Sequence, residues 1–241
     1  MKSYKARGVV LSTVKYGDSG MVVQMLTDRY GRQSYMVQGV RSGRGRGSKM
    51  ALFQPLFLLQ FEGLESSHSD LHKMREVQND VVFKSLPYDI RKSTMALFMA
   101  EVLYRFVKDN EQTSELFDFV WASVGALDAL EEGISNFHLW FLANLSRLLG
   151  FAPDNEYVDG AWFDIREGHF TSHALFPSMA LTPENARLLH DMLECDVRYL
   201  GEIGLNHDER RSFLDAMLRY YAFHFDAIHS VESLRILREV F

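Results

Sequence analysis

The spacing of the apolar residues changes at Leu86-Pro87, and this change limits the possible folds more than any other feature of the sequence. Before it, short runs rich in Val, Tyr and Thr, such as GVVLSTVKYG, are typical of β-strands. After it, apolar residues recur at helical spacing through residues 88–109, 114–131 and 134–149. The chain is therefore predicted to be an α+β protein, with strands first and helices second.

Five short strands are predicted between residues 4 and 78. Gly31, within TDRYGRQ, can adopt the positive φ of a hairpin turn, and one long loop separates the third strand from FQPLFLLQFEG. Five strands with one long connection suit a small closed barrel of the OB type, which leaves few strand edges open; a sandwich is the alternative. We predict an OB-fold DNA-binding domain at residues 1–79 and an α-helical domain at residues 80–241.

The helical half is interrupted at residues 151–178, where the helical spacing is lost. This segment is predicted to be an irregular loop or a hairpin inserted between helices. Gly150 is expected to end the helix before it. Thr182-Pro183 is expected to begin the helix after it, as a cap followed by proline in the first turn.

Charge is distributed unevenly along the chain. The first 50 residues carry ten cations and two acids, a net of +8, so the remainder carries −14 of the total of −6. This asymmetry predicts a basic module that meets a polyanion and an acidic module with a different task. The single cysteine, Cys195, excludes an internal disulfide. The absence of a long apolar run argues against a membrane span and predicts a soluble, cytoplasmic protein.

The segment GVRSGRGRGSKM, residues 39–50, combines glycines with cations and contains no acid. Its spacing fits neither a P-loop nor G-x-G-x-x-G. Arginines contact phosphates and glycines let the backbone follow an irregular strand, so nucleic-acid binding is predicted; a solvated surface loop is the alternative. Among the nearby tyrosines, Tyr35 is the favoured base-stacking residue. The predicted DNA-binding residues are Lys5, Arg7, Lys15, Arg29, Arg32, Tyr35, Arg41, Arg44, Arg46 and Lys49.

Metal and catalytic motifs are weak in this sequence. His68 and His72 do not share a face in a strand, and the histidines of the insert, His169 and His173, are expected to be ordinary loop residues. No Ser-His-Asp arrangement or carboxylate pair stands out, and Cys195 has no catalytic motif near it. The chain is predicted not to be an enzyme and to need neither a cofactor nor a metal.

Several motifs together resemble the RecO family of bacterial recombination mediators. They are GVVLSTVKYGDSGMVVQMLTDRYGRQSYMVQGVRSGRGR, LFQPLFLLQFE, LLGFAPDNEY, FDIREGHF and SLRILREVF. Each motif is loose, but their order and spacing extend over nearly the whole chain. One feature differs, because many members of the family hold a four-cysteine zinc module where this chain has the cysteine-free insert 151–178. The insert is therefore predicted to be a degenerate, zinc-finger-like element, in which Tyr157, Trp162, Phe163, Phe170 and Phe176 replace the metal as an apolar cluster.

The resemblance implies a cytoplasmic, nucleoid-associated protein of DNA repair and recombination. It implies binding to single- and double-stranded DNA, annealing of complementary strands, and partnership with RecR. It also implies contact with the acidic C-terminal tail of single-stranded DNA-binding protein and a role in loading the RecA recombinase. An acidic tail needs cations beside apolar residues within the acidic half. The predicted tail-binding residues are Arg91, Lys92, Arg147 and Arg219.

Two alternatives stay open at this point. One is an RNA-binding OB-fold accessory protein, and the other is a protein–protein scaffold whose basic segment meets an acidic partner. Annealing without metal or nucleotide favours the recombination mediator. Preference for structured RNA favours the accessory protein, and loss of all nucleic-acid binding at moderate salt favours the scaffold.

Overall fold

Five strands close into a barrel in the computed structural model of this chain, which describes residues 3–38, 49–65, 70–109, 114–154, 156–225 and 231–241. The strand order is β1-β2-β3-β5-β4, and β4 returns to pair with β1. All pairings are antiparallel except that of β3 with β5. This arrangement confirms the predicted OB-like barrel. The strands are β1 Ser3–Tyr16, β2 Gly20–Thr27, β3 Gly31–Val37, β4 Leu58–Leu64 and β5 Leu71–Asn79.

Alternating burial along the strands builds the barrel core. β3 shows it most clearly, because every second residue from Gly31 to Val37 is buried and the residues between are partly exposed. The inward side chains meet in one cluster that includes Val23, Met25 and Phe61. Gly31 has φ +64°, which confirms the turn predicted before β3.

Two helices, α1 (Ile90–Phe106) and α2 (Ser114–Ala129), belong to the same compact unit as the barrel, residues 1–128, here called the barrel unit. α1 packs on β1. Its N-cap, Asp89, accepts a hydrogen bond from the backbone N–H of Arg91, which satisfies one of the donors left open at a helix start. The sequence-based division at residue 79/80 stays a prediction, since this unit ends at residue 128.

The second compact unit, residues 129–241, is here called the helical unit. α3 contacts both α4 and α5. Thr182 is the N-cap of α4 and Pro183 its first residue, as predicted. At the start of α5, the Asn206 side chain accepts from the Glu209 N–H while the Glu209 side chain accepts from the Asn206 N–H. The helices are α3 Phe137–Leu148, α4 Pro183–Glu194, α5 His207–His224 and α6 Ser233–Val240.

The insert folds as a small sheet of three strands, β6 (Trp162–Asp164), β7 (His169–Thr171) and β8 (Ala180–Leu181), in the order β7-β6-β8. The predicted hairpin is confirmed, because β6 pairs with β7 across the turn at residues 165–168. The ring of Phe163 is fully buried.

Three of the five aromatic residues predicted to replace the zinc module contact one another. The Phe170 ring centroid lies 5.1 Å from that of Phe163 and 5.3 Å from that of Tyr157. Phe176 does not join them, which corrects that part of the prediction. It is 52% exposed, and its ring lies 4.6 Å from the guanidinium carbon of Arg166. Trp162 neighbours Phe163 in β6 and therefore points to the opposite face of the sheet.

Candidate nucleic-acid interface

The barrel separates the predicted cations into two groups. Lys15 is paired with Met21 at the start of β2, whereas Arg29 follows the end of β2. The eight residues of β2 lie between these two positions, a length of roughly 25 Å. Sequence reasoning placed these cations in one basic module, and the strand pairing puts Lys15 and Arg29 at opposite ends of the barrel.

The first group contains Lys5, Arg7 and Arg29, which line a groove of about 450 Å³ on the barrel. Acidic side chains line the same groove, so its net charge is low. Glu62, for example, pairs with Lys5 across the strands and accepts two hydrogen bonds from Arg75, the shorter at 2.8 Å. These bonds lower the pKa of the Glu62 carboxyl. The acidic members are Asp28, Glu62 and Glu76.

Arg7 makes its contacts within the chain. Its guanidinium carbon lies 5.0 Å from the ring centroid of Trp121 and 5.4 Å from that of Phe117, both on α2. Its Nε lies 3.5 Å from Oδ2 of Asp28. A guanidinium group held between two rings and a carboxylate is engaged in holding α2 to the barrel. Arg7 is therefore not one of the phosphate contacts that we propose.

Arg32 is engaged in the same way with the end of α1. Its Nε donates to Oδ1 of Asp109 at 2.7 Å, and its Nη1 donates to the carbonyl oxygen of Tyr104. Its guanidinium carbon lies 5.0 Å from the Tyr104 ring centroid. The side chain of Arg32 is only 16% exposed. Arg32 therefore also joins a helix to the barrel, and it is not one of the phosphate contacts that we propose.

Tyr35 is buried, which corrects its predicted role as a base-stacking residue. Its exposure is 0%, and its ring meets the edge of Phe61 at a centroid distance of 4.9 Å. Its hydroxyl lies 3.0 Å from that of Tyr4, and burial raises the pKa of the Tyr35 phenol. A ring enclosed in the barrel core offers no face to a base.

The second group contains Lys15, which lies beside the turn between β1 and β2. Lys15 is exposed there, and Tyr16 beside it is 58% exposed. The chain leaves β3 at Val37, which pairs with Met21 at the start of β2. Residues 39–50, here called the Gly/Arg segment, follow in the sequence after Gln38. Arg41, Arg44 and Arg46 lie outside the described residues, as does the side chain of Lys49. Their predicted role as phosphate contacts stays a prediction.

Sequence reasoning missed Lys73 of β5, which is exposed and pairs with Met36 of β3. Lys73 lies outside the basic N-terminal stretch. Only the parallel pairing of β3 with β5 brings it beside the strands that lead to the Gly/Arg segment, and no local pattern in the sequence announces that pairing.

The predicted tail-binding residues have different surroundings from one another. Arg91 is paired with its own N-cap, Asp89, at 2.9 Å. Lys92 is buried, and its Nζ donates to Oγ of Ser85 and to the carbonyl oxygen of Asp128, each at 2.7 Å. This corrects the prediction for Lys92, because a buried ammonium group engaged in these bonds is not open to a peptide carboxylate. Arg147 and Arg219 are exposed on α3 and α5.

Comparison with known proteins identifies the family. A profile described as recombination protein O, N terminal, matches residues 1–79, and one described as recombination protein O, C terminal, matches residues 87–230. The DNA repair protein RecO of Bacteroides fragilis is 35% identical to this chain over 239 residues, covering 98% of each protein. The chain belongs to the RecO family of DNA repair proteins.

Other RecO proteins match over the same extent. The identity is 34% over 238 residues for Phocaeicola vulgatus and 30% over 238 residues for Flavobacterium psychrophilum, with 98% of each protein covered in both cases. The resemblance drawn from the sequence motifs is confirmed, and with it a role in DNA repair and recombination.

Groups of three or more His, Cys, Asp or Glu residues able to hold a metal ion do not occur in the described portion of this RecO-family chain. The histidines of the insert illustrate this: His169 and His173 are both exposed, and Oγ of Ser172 lies 3.1 Å from Nδ1 of His173. The helices that the structure describes also include none long and apolar enough to cross a membrane.

A cavity in the helical unit combines cations with apolar side chains, and sequence reasoning did not find it. Its volume is about 180 Å³, and it lies where α5 meets the C-terminal helix α6. Nε of Arg210 is buried there without a hydrogen-bond partner among the described residues. Burial, and then the charge of Arg210, lowers the pKa of His138 to about 3. The lining residues are His138, His207, Arg210, Arg211, Leu214, Leu237, Arg238 and Phe241.

Proposed function

We propose that this RecO-family protein is a recombination mediator that binds single- and double-stranded DNA and anneals complementary strands. In this proposal it also helps to load the RecA recombinase onto DNA coated with single-stranded DNA-binding protein. The observation that carries the proposal is the net charge of +8 on the first 50 residues of an otherwise acidic chain, on a barrel of the OB type. Membership of the RecO family of DNA repair proteins supports this proposal.

The physical argument concerns the repulsion between two nucleic-acid strands. Annealing brings two polyanions together, and cations that neutralise phosphates release condensed counterions and lower that repulsion. Arg41, Arg44, Arg46 and Lys49 stand among glycines in a stretch without acids. Contacts to phosphate carry no sequence information, so binding is expected to tolerate any sequence. Lys5, Lys15 and Arg29 are exposed and complete the set of proposed phosphate contacts.

Annealing needs no covalent bond to be made or broken in either strand. The proposed task therefore requires neither a catalytic residue nor a cofactor, and we propose that the protein is not an enzyme.

The proposed partners are RecR and the acidic tail of single-stranded DNA-binding protein. We propose the cavity between α5 and α6 as the place where this tail binds. Arg211 lines the cavity and can meet a carboxylate, and Leu214 and Leu237 offer an apolar surface to an aromatic side chain. Arg238, which also lines the cavity, is paired with Asp215. Arg147 and Arg219 remain proposed contacts outside the cavity.

The central experiment is an annealing assay on complementary strands coated with single-stranded DNA-binding protein. The wild-type protein is expected to accelerate annealing without metal or nucleotide. The variant R41A/R44A/R46A is expected to lose most of this activity. Removing three phosphate contacts is also expected to reduce the slope of log K against log salt by roughly 2 for single strands. A wild-type slope in the triple variant would show that the Gly/Arg segment does not contact phosphates.

The same measurements separate the alternatives. A strong preference for structured RNA over DNA would favour an RNA-binding accessory protein, and absence of all nucleic-acid binding at moderate salt would favour a scaffold. For the tail, a labelled acidic peptide ending in Phe is titrated against the full-length protein. Arg211→Glu is expected to weaken peptide binding at least tenfold, whereas the exposed control Arg187→Glu on α4 is expected to leave it unchanged.

A further inference from the structure

An exposed apolar strip lies on the outer face of the barrel beside the β1–β2 turn. Val14 pairs with Val22, Val22 pairs with Met36, and Met36 pairs with Lys73, so these four residues form one row across β1, β2, β3 and β5. Tyr16 follows Val14 on the same face of β1, since residues two apart in a strand point the same way. We call Val14, Tyr16, Val22 and Met36 the outer strip.

Two of the four side chains of the outer strip are more than half exposed to solvent. Val14 is 60% exposed and Tyr16 is 58% exposed, while Val22 and Met36 are half-buried. Tyr16 is paired with Gly20, which has no side chain to cover the ring. A Cβ at position 20 would lie 2.8 Å from the carbonyl oxygen of Tyr16, so the backbone at this place requires glycine.

The neighbouring row of the same face is polar. Ser12 pairs with Gln24 and Gln24 with Ser34, and Oγ of Ser34 donates to Oε1 of Gln24 at 3.0 Å. The change from a polar row to an apolar row occurs toward one end of the barrel. The apolar row therefore lies at the end of the barrel where the chain leaves β3 at Val37.

Charge complementarity identifies the occupant of this surface. Lys73 ends the apolar row on this face and is exposed. Lys15 is exposed at the same end of the barrel, but it precedes Tyr16 in β1 and so projects from the opposite face of the strand. A ligand with apolar planar groups and negative charges matches an exposed aromatic ring beside an apolar row that ends at a cation. Unpaired nucleic-acid strands have this chemistry, whereas in a duplex the bases are stacked and paired and show no free face.

We infer that Tyr16 is the base-stacking residue of the barrel, supported by Val14, Val22 and Met36, and that it makes binding selective for unpaired strands. The inference rests on the proposed function, since it assumes that the barrel binds nucleic acid. Tyr35, which the sequence favoured as the base-stacking residue, is buried, whereas the ring of Tyr16 is accessible. The cations then hold the backbone of either form of DNA, and Tyr16 distinguishes the single strand from the duplex.

The test compares affinities of full-length protein for a mixed-sequence single strand and for a duplex of the same length, by fluorescence anisotropy. Tyr16→Ala is expected to raise Kd for the single strand roughly tenfold, the loss of one base stacked on an aromatic ring. Kd for the duplex is expected to change less than about twofold, because a duplex offers no base face to the ring. Tyr16→Phe keeps the ring and is expected to bind as the wild type. Tyr88→Ala removes another exposed tyrosine, 82% exposed, and serves as the matched control.

A second readout reports stacking directly. A single strand containing 2-aminopurine loses fluorescence when that base stacks, and this quenching is expected with the wild type and Tyr16→Phe but not with Tyr16→Ala. Wild-type affinity and quenching in Tyr16→Ala would overturn the inference and leave the proposed function intact. Equal weakening of single strand and duplex would also overturn it. If the wild type binds neither nucleic acid, the proposed function fails first and the inference fails with it.

Discussion

The guanidinium carbon of Arg7 lies 5.0 Å from the ring centroid of Trp121, which joins the first strand of the barrel to helix α2. Phe117 and Asp28 complete its surroundings. Together with Arg32 and its contacts at the end of α1, this relationship gives two arginines of the basic N-terminal stretch a structural task. The positive charge of that stretch therefore overstates the number of cations free to meet a polyanion.

Arg7→Ala is expected to lower the free energy of unfolding by about 1–2 kcal/mol, through loss of the cation–π contacts and of a partly exposed ion pair. Urea denaturation measures it. Arg29→Ala removes an exposed cation of the same groove and is expected to change stability by less than about 0.5 kcal/mol. We also expect Arg7→Ala to keep the wild-type slope of log K against log salt for DNA. A flatter slope would return Arg7 to the phosphate contacts.

Asp128→Asn is expected to destabilise the protein by about 2–3 kcal/mol, because charge-assisted hydrogen bonds from three backbone N–H groups are weakened. The donors belong to Lys84, Ser85 and Leu86, at 2.9, 2.8 and 2.7 Å from the Asp128 carboxylate. Burial raises the pKa of Asp128, but the N–H donors outweigh it and the net pKa is below its usual value. Asp118→Asn, on the exposed face of α2, is the control in urea denaturation, and equal losses in the two variants would refute the assignment.

His138 is expected to make stability depend on pH. Its pKa is about 3 in the folded protein because of burial and the charge of Arg210, against 6.5 for the free side chain. Between these values the unfolded chain binds more protons, so stability is full above pH 6.5 and falls as the pH is lowered. The expected loss is about 1 kcal/mol per pH unit below 6.5.

Urea denaturation at pH 7 and pH 5 measures this effect. His138→Gln is expected to lose less stability than the wild type over this interval. The exposed His169→Gln is expected to behave as the wild type. Burial also lowers the pKa of His224. The resulting dependence of stability on pH is the same in all three proteins, so it does not affect the comparison. Parallel losses in the wild type and His138→Gln would contradict the prediction.

Phe163→Ala is expected to lower the free energy of unfolding by about 3–5 kcal/mol, the cost of deleting a fully buried ring. Phe163 contacts Phe170 at 5.1 Å and Tyr220 at 5.3 Å between ring centroids, and we propose that these rings hold the insert in place of zinc. Phe176→Ala, at an exposed position, is the control and is expected to change stability by less than about 1 kcal/mol, the loss of its contact with Arg166. Chelation with EDTA is expected to leave Tm unchanged, and a lower Tm with EDTA would show that a metal stabilises the protein.

The sequence by itself determined the local features of the fold. The strands of the barrel, the helix that begins at Thr182-Pro183, the turn at Gly31 and the hairpin of the insert were all predictable. Each depends on side-chain spacing or on a backbone preference within a few residues. The aromatic contacts within the insert were partly predictable, since a segment without cysteines must bury apolar residues to remain folded.

Only the tertiary structure decided which of the candidate residues are accessible. Tyr16 and Tyr35 lie in similar alternating runs, but the first lies on the outer face of the barrel and the second points into its core. Arg7 is far from Trp121 in the sequence, and Arg32 is far from Asp109. Lys73 lies beside Met36 only because β5 pairs with β3. Such contacts depend on how distant strands and helices meet, which local spacing does not encode. Accessibility was therefore set by closure of the barrel and by the helices packed on it.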